Sequence, residues 1–191
     1  QAIFIRHKVQ AKGEPTWDTL VSPQTPFGLV SSFAGHKPEP FNSSVQLHYV
    51  GGIGYVDRAS VPRNRGWIDK WKVYIAKSYG ERGPYPYFFL GKPFLGRPGT
   101  CCTQSYLLIG PFDSEEAARN VMSYIRTRFF RFLIMNKRNT QDAMRGVYSL
   151  VPQQELSQSW TDEKLYRKYG LTKEEITFIE SMVRPMEAKD E

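Results

Sequence analysis

Cys101–Leu150, CCTQSYLLIGPFDSEEAARNVMSYIRTRFFRFLIMNKRNTQDAMRGVYSL, is the stretch that decides the expected fold. Its apolar run Tyr106–Ile109 predicts the last strand of a β-rich segment, which we place over 103–109. A turn is expected at Gly110-Pro111-Phe112, where glycine and proline interrupt the pattern. The stretch therefore predicts a strand that leads through a turn into a helix.

A long helix is predicted over 114–135. Asp113 is the expected cap, and Glu116 stands three residues later, where it would complete a capping box. One face of this helix is apolar at helical spacing and should form part of the core; it comprises Val121, Ile125, Phe129 and Phe132/Leu133. Arginines occupy other positions of the same helix, namely Arg119, Arg126, Arg128 and Arg131.

The residues before 110 indicate strands and turns. Gly51-Gly52 lies between two apolar runs, which is typical of a β-hairpin over 45–57. Clusters of β-branched and aromatic residues predict further strands. These predicted strands cover residues 2–9, 27–33, 72–77 and 88–95, and a short closing strand is expected over 147–151.

The last forty residues indicate two short helices. Thr161 and Thr172 have the sequence context of helix caps, Glu175 completes a capping box, and Gly170 and Pro185 end the two helices. The predicted fold class is α+β: a curved, mostly antiparallel sheet packed against one long helix, with a small C-terminal helical pair. We expect a main domain over 1–152 and a C-terminal helical appendage over 153–191.

Composition narrows the classes of protein. The 191 residues contain no apolar run near the ~20 residues that span a membrane, so no membrane association is expected. The adjacent Cys101 and Cys102 disfavour a disulfide and fit a reducing cytoplasm, where they are expected to be buried strand residues. Three histidines and no Cys-x-x-Cys disfavour a zinc site, and no metal site is predicted. Because the first residue is glutamine, we expect a fragment of a longer protein.

The net charge of +7 is concentrated in the middle of the chain. Residues 58–97 hold nine basic residues against two acidic ones, and residues 118–150 hold seven against one. The tail from 154 onward holds six basic and nine acidic residues. A basic middle with an acidic end is typical of a polyanion-binding face, although an ordinary surface with local imbalance remains the alternative.

Six consecutive blocks carry a resemblance that runs from about Pro26 through most of the chain. They are Pro26-Phe27-Gly28-Leu29, Gly51–Tyr55, Lys72–Lys77, Leu90–Phe94, Cys101–Tyr106 and Trp160–Tyr166. Their order resembles the C-terminal target-recognition region of type IIG-like restriction–modification adenine-specific DNA methyltransferases. The resemblance implies that 1–152 is a DNA target-recognition domain whose partners are double-stranded DNA and an upstream methyltransferase domain.

The catalytic motifs of that family are missing from this chain. There is no Asn/Asp-Pro-Pro-Tyr/Phe motif, no glycine-rich turn for S-adenosylmethionine and no Pro-Pro pair. Trp67-Ile68-Asp69-Lys70 and Asp162-Glu163-Lys164 are the nearest approaches to a nuclease motif, and the second is better explained as a helix start. No catalytic residue and no cofactor are therefore expected in this chain. The resemblance implies S-adenosylmethionine in the parent enzyme, which is possibly fused to a restriction endonuclease.

Basic and amide side chains in the middle segment are the expected DNA contacts: Lys70, Lys72, Lys77, Arg82, Lys92, Arg97 and Gln104. Lysines would neutralise phosphates, while Arg97 and Gln104 have the side chains that read base edges. Two other functions stay open at this point. One is an autonomous Mg²⁺-dependent nuclease with a degenerate motif, and the other is a module that binds an acidic protein or RNA.

Overall fold

The computed structural model describes residues 1–139 and 142–187, and its α+β architecture confirms the predicted fold class. The helices are α1 (Ala2–Gln10), α2 (Glu115–Arg126), α3 (Arg128–Met135), α4 (Asp162–Lys168) and α5 (Lys173–Met182). The strands are β1 (Ser44–Tyr49), β2 (Gly52–Asp57), β3 (Trp71–Ala76), β4 (Phe94–Gly96), β5 (Thr100–Cys102) and β6 (Tyr106–Phe112). Short 3₁₀ helices cover Trp17–Leu20, Arg58–Ser60, Arg65–Trp67 and Arg145–Leu150.

The strands form two three-stranded sheets rather than the one curved sheet expected. The first has the order β2-β1-β5, and the second, the middle sheet of the molecule, has the order β4-β3-β6. Only the β1–β5 pairing is parallel among the strand pairs of the described residues, so the mostly antiparallel character is confirmed. Two small sheets share the apolar surface that one larger sheet would have buried.

The middle sheet has an apolar layer on each side. Val73 and Ile75 of β3 belong to the core that contains the helices. Tyr74 and Leu108, which lie on the opposite face, belong to a second core with Leu47 of β1. Because alternate residues of a strand point to opposite faces, a strand buried on both sides has no free face for polar residues. This explains the continuous burial of residues 72–75.

The N-terminal segment is helical, and the strand predicted over 2–9 is wrong. Ile5 and Val9 are the buried residues of α1, and their i, i+4 spacing places them on one face of a helix. Ile3 and Phe4 lie outside that stripe and are exposed. The cluster of isoleucine, phenylalanine and valine suggested a strand, but only two of these residues face the core.

The hairpin and the strand at 72–77 are confirmed. β1 and β2 pair from Ser44↔Asp57 to Tyr49↔Gly52, with the turn at residues 50 and 51. Three other predicted strands are wrong in whole or in part. Residues 27–33 form no strand, 147–151 overlap a 3₁₀ helix, and only the end of 88–95 enters β4. Pro93 and Gly91 interrupt the last of these runs, and Gly110-Pro111 continues β6 instead of forming a turn.

The long helix predicted over 114–135 is two helices that meet at Thr127. Thr127 has extended backbone angles, and its hydroxyl accepts a hydrogen bond from Phe130 N–H, which makes it the cap of α3. Ser114, and not the exposed Asp113, caps α2 by accepting from Ala117 N–H. The predicted apolar face is confirmed, because every one of its residues is buried: Val121, Ile125, Phe129, Phe132 and Leu133.

The two C-terminal helices confirm their predicted caps. The Thr161 hydroxyl caps α4, and Thr172 with Glu175 forms a reciprocal capping box at α5. Both helices contact α3, and the buried residues Leu165 and Ile179 join the same core as α2 and α3. Residues on both sides of the 152/153 boundary thus share one core, and the division into 1–152 and 153–191 stays a prediction, with residues 188–191 outside the described part.

Candidate nucleic-acid interface

Strand β3 separates the predicted DNA contacts into two groups at opposite ends of the middle sheet. Lys70 directly precedes β3 and Lys77 directly follows it. At about 3.3 Å per strand residue, their Cα atoms lie about 23 Å apart. The Arg97 edge denotes residues 67–70 and 97–99, and the Lys77 edge denotes residues 76–78 and 103–105.

Backbone hydrogen bonds join the loops of each edge. At the Arg97 edge, Gly99 N–H donates to the Ile68 carbonyl at 2.8 Å. At the Lys77 edge, Lys77 N–H donates to the Ser105 carbonyl at 2.9 Å. The structure therefore brings Lys70 together with Arg97, and Lys77 together with Gln104, and it keeps the two pairs apart.

The Arg97 edge carries exposed charges of both signs. Lys70 forms an ion pair with Asp113 at 2.5 Å, and Arg58 forms a bidentate pair with Asp69. The hydrogen bond from Arg58 lowers the pKa of Asp69, and the one from Lys70 lowers the pKa of Asp113. The Arg97 side chain is exposed and has no printed partner among the described residues. Because these pairs are open to solvent, a phosphate can replace either carboxylate at little cost.

Lys72 is not a DNA contact, and this part of the prediction is corrected. The residue is fully buried in the second core. Its ammonium donates to the carbonyls of Trp67, Ile68 and Lys70 at 2.9, 2.9 and 3.0 Å, and to the Arg97 carbonyl at 3.2 Å. Burial lowers the pKa of Lys72 from 10.5 to about 8. An ammonium enclosed in this way cannot reach a phosphate.

Gly96 must lack a side chain for Lys72 to reach this position. A Cβ at Gly96 would lie 2.5 Å from Lys72 Cγ and 2.6 Å from Tyr74 Cε2. Gly96→Ala should therefore lower the free energy of unfolding by about 1–3 kcal/mol through overpacking. Urea denaturation measures this, with Gly66→Ala as the control, because a Cβ there meets nothing within 4 Å. Equal effects of the two substitutions would contradict the packing.

His48 of β1 gives the fold a pH dependence on its acid side. Its ring lies 5.4 Å from Tyr74 and 5.2 Å from Phe94, measured between ring centroids. Burial, followed by the charge of Lys72, lowers the pKa of His48 from 6.5 to about 4. The unfolded chain therefore takes up the proton first, and stability is lost as pH falls from about 6.5 to about 4.

His48→Phe should remove this loss while keeping the aromatic packing. Between pH 7 and pH 4.5, the native protein should lose about 1–3 kcal/mol more stability than the variant, at about 1.4 kcal/mol per pKa unit. Urea titrations at both pH values measure the difference, and His7→Gln on the exposed part of α1 is the control. The same acid sensitivity in native and His48→Phe proteins would refute the role of His48.

The Lys77 edge contains a cleft of about 350 Å³. Its walls come from the hairpin turn, from the end of β3 and from the segment before β6, and they comprise Ser31, Val50, Ala76, Lys77, Ser78, Ser105 and Tyr106. The hydroxyls of Ser31 and Ser105 lie 3.0 Å apart. An ammonium beside hydroxyl groups is a common setting for a backbone phosphate. Gln104 is half-buried beside this cleft, with its N–H bonded to the Leu29 carbonyl at 2.8 Å.

Arg82 and Lys92 lie on the segment between β3 and β4. Both side chains are exposed, and neither has a printed side-chain partner in the described parts of the chain. Lys92 lines a second pocket of about 550 Å³ together with Tyr79, Phe88, Leu90 and Arg184. Because Gly91 packs against Ala76, this part of the segment lies near the Lys77 edge.

Sequence reasoning missed three residues that the structure places beside the predicted contacts. Arg63 is an exposed cation near the Arg97 edge, with its N–H bonded to Phe27. Ser31 and Ser105 complete the cleft at the Lys77 edge although 74 positions separate them. Charge counting could have found Arg63. No local pattern could have found the serine pair, because only the fold brings these residues together.

The arginines of α2 and α3 are engaged within the protein. Arg131 is fully buried and donates to the carbonyls of Phe88 and Arg184 at 3.1 and 2.7 Å. Arg128 forms an ion pair with Glu180 at 2.7 Å, and Arg119 pairs with Glu115 at the same distance. This helical pair therefore offers fewer available cations than the two edges.

The acidic residues nearest to a nuclease motif have structural contacts. Asp162 accepts hydrogen bonds from Arg128 N–H and Phe129 N–H at 3.1 and 2.9 Å, so it caps the start of α3. Burial raises the pKa of Asp162, and these two amide bonds oppose the rise. Within residues 1–139 and 142–187, no group of three or more His, Cys, Asp or Glu could hold a metal ion. Cys101 and Cys102 are free and buried.

Comparisons with known proteins add no relative. No family model, no curated protein and no solved structure matches the chain. Among the residues that the structure describes, none of the helices has both the length and the apolar character needed to cross a membrane. The case for a function therefore stands on the geometry and charge of the chain itself.

Proposed function

We propose that this chain recognises duplex DNA, as the target-recognition part of a restriction–modification adenine DNA methyltransferase. Catalysis would then belong to an upstream methyltransferase domain that binds S-adenosylmethionine and acts in the cytoplasm. The proposal rests on the resemblance of the six sequence blocks and on the distribution of available cations over the two edges of the middle sheet.

The observation that carries the proposal is the set of cations without carboxylate partners. Lys77, Arg82, Lys92 and Arg97 have no ion pair in the described parts of the chain. All of them lie on loops that leave or enter the middle sheet. A polyanion such as DNA can bind these groups without first breaking an internal ion pair, and it gains by releasing its own counterions.

The acidic residues of the tail support this reading by contrast. Glu175 is buried and pairs with Lys8 at 2.7 Å, and Glu180 pairs with Arg128. Asp162 caps α3, and Glu174 lies in the first turn of α5. These acids are used within the fold, so the local charge of the two edges is not neutralised by the tail.

The two edges suit different parts of a DNA site. Phosphate contacts fix the position of a protein, and base contacts specify the sequence. Lys77 beside the serine hydroxyls suits a phosphate, as does Lys70 once it leaves Asp113. Arg97 on its exposed turn and Gln104 on the cleft rim have the donors that read guanine and adenine edges in the major groove.

Competition binding tests the proposal against RNA and single-stranded DNA. The chain should bind a labelled 30-base-pair duplex in a gel shift at 50 mM salt, and unlabelled duplex should compete better than single-stranded DNA or RNA of the same length. Its affinity for duplex should fall linearly in log–log form as salt rises. Preference for RNA, or no binding at 50 mM salt, would overturn the proposal.

A cleavage assay tests the alternative of an autonomous nuclease. Supercoiled plasmid incubated with the chain and Mg²⁺ should remain intact, because the candidate acids Asp69 and Asp162 are held by Arg58 and by the α3 amides. Mg²⁺-dependent nicking that disappears with EDTA would favour the nuclease instead.

A further inference from the structure

The carbonyl groups around Lys72 come from two loops that are distant in sequence. Three of them belong to residues 67–70, which precede β3, and the fourth belongs to Arg97, which lies 25 positions after Lys72. The Lys72 stem passes over Gly96, the partner of Lys72 across the β3–β4 pairing. The ammonium thus occupies the junction between the two loops of the Arg97 edge.

Few other bonds join these loops. Gly99 N–H donates to the Ile68 carbonyl, and the Thr100 hydroxyl donates to the Arg97 carbonyl at 2.7 Å. The side chains of Lys70 and Arg97 lie outside this junction and are exposed. Their backbones are therefore fixed to each other from the inside, through Lys72.

A buried cation with no bonded carboxylate is a costly choice for stability alone. Removing an ammonium from water costs several kcal/mol, and an apolar side chain of similar size would avoid that cost. An ammonium bonded to several carbonyls instead defines one geometry, because each donor must find its acceptor. The chain therefore keeps at this junction a group that favours a single loop arrangement.

We infer that Lys72 is a positioning residue for DNA reading, whose ammonium sets the placement of Arg97 relative to Lys70 without touching DNA. The inference rests on the proposed function. Loss of the ammonium should loosen the two loops and blur the discrimination between sites. It should leave the phosphate contacts in number as they are, because every exposed cation remains.

Lys72→Met is the test, measured with a duplex enriched by the native chain from a random-sequence pool. Discrimination between that duplex and one with a single changed base pair should fall about tenfold. The salt slope should stay within about half a unit of the native value. In the free protein, the Gly99 amide should exchange its hydrogen at least tenfold faster.

Two control variants separate positioning from general loss of stability or charge. Ile179→Ala makes a cavity in α5, at a residue buried far along the chain from the edge. Lys12→Met removes an exposed charge. Both should keep the native discrimination. Equal loss of discrimination in Ile179→Ala at a matched melting temperature would show that Lys72 acts only through stability, and would overturn the inference.

The outcomes distinguish this inference from the proposed function. If the native chain enriches no duplex, the proposed function and the inference both fail. If it does and Lys72→Met keeps full discrimination, only the inference fails. Should Lys72→Met not fold, Lys72→Gln retains a neutral donor and should show the same loss of discrimination to a smaller degree. Failure of both variants to fold would make Lys72 purely structural and overturn the inference.

Discussion

Phe129→Ala should lower the free energy of unfolding by about 3–5 kcal/mol, the usual cost of removing a fully buried aromatic ring. Phe129 has no solvent exposure, and its ring stacks on Tyr169 with 4.9 Å between the ring centroids. The ring therefore joins α3 to the end of α4, and its loss would leave a cavity between them. Chemical denaturation followed by far-UV circular dichroism measures the change.

Phe4→Ala is the matched control for this prediction. Phe4 is 66% exposed on α1, so the same substitution removes a ring that faces solvent. It should change stability by less than about 0.5 kcal/mol, as surface substitutions usually do. If Phe129→Ala left the denaturation curve where Phe4→Ala leaves it, the assignment of the α3 core face would be wrong.

Replacing four cations of the two edges by alanine should nearly abolish DNA binding. The positions are Lys77, Arg82, Lys92 and Arg97. If each contacts one phosphate, the slope of log affinity against log salt should flatten by about four units, and affinity at 0.1 M salt should fall roughly a thousandfold. Titration of a fluorescent duplex at several salt concentrations measures both quantities.

A second four-charge variant controls for net charge. Arg6, Lys12, Arg167 and Lys173 lie on α1, the turn after it and the C-terminal helices, and no ion pair is printed for any of them in the described chain. Alanine at these positions removes the same charge, yet it should flatten the slope by less than about one unit. Equal effects of the two variants would show that DNA responds to overall charge and not to the two edges.

Local signals predicted the parts of the fold that depend on neighbouring residues. The caps at Thr161 and Thr172 need only the residues within one turn, and the Gly51-Gly52 hairpin needs only its flanking runs. The break at Thr127 also has a local cause, since threonine is a good cap, but the apolar face continues through it and favoured one long helix. A continuous face therefore does not guarantee a continuous helix.

Other features depend on tertiary contacts that no local pattern contains. Residues 2–9 have strand-like composition, yet the core accepts only Ile5 and Val9, at helical spacing. Lys72 lies in the basic segment like its neighbours, and only the approach of the Arg97 loop encloses its ammonium. Of the seven predicted contacts, the sequence could supply charge and residue type. It could not tell a surface lysine from a buried one.

Hydrogen exchange at backbone amides, with and without duplex DNA at low salt, tests most directly whether the two edges face DNA. We expect added duplex to slow exchange in residues 76–82, 92–99 and 103–105, and to leave α5 unchanged. Protection confined to α2, α3 or the C-terminal helices, or no protection under conditions where the complex forms, would contradict the proposed DNA face.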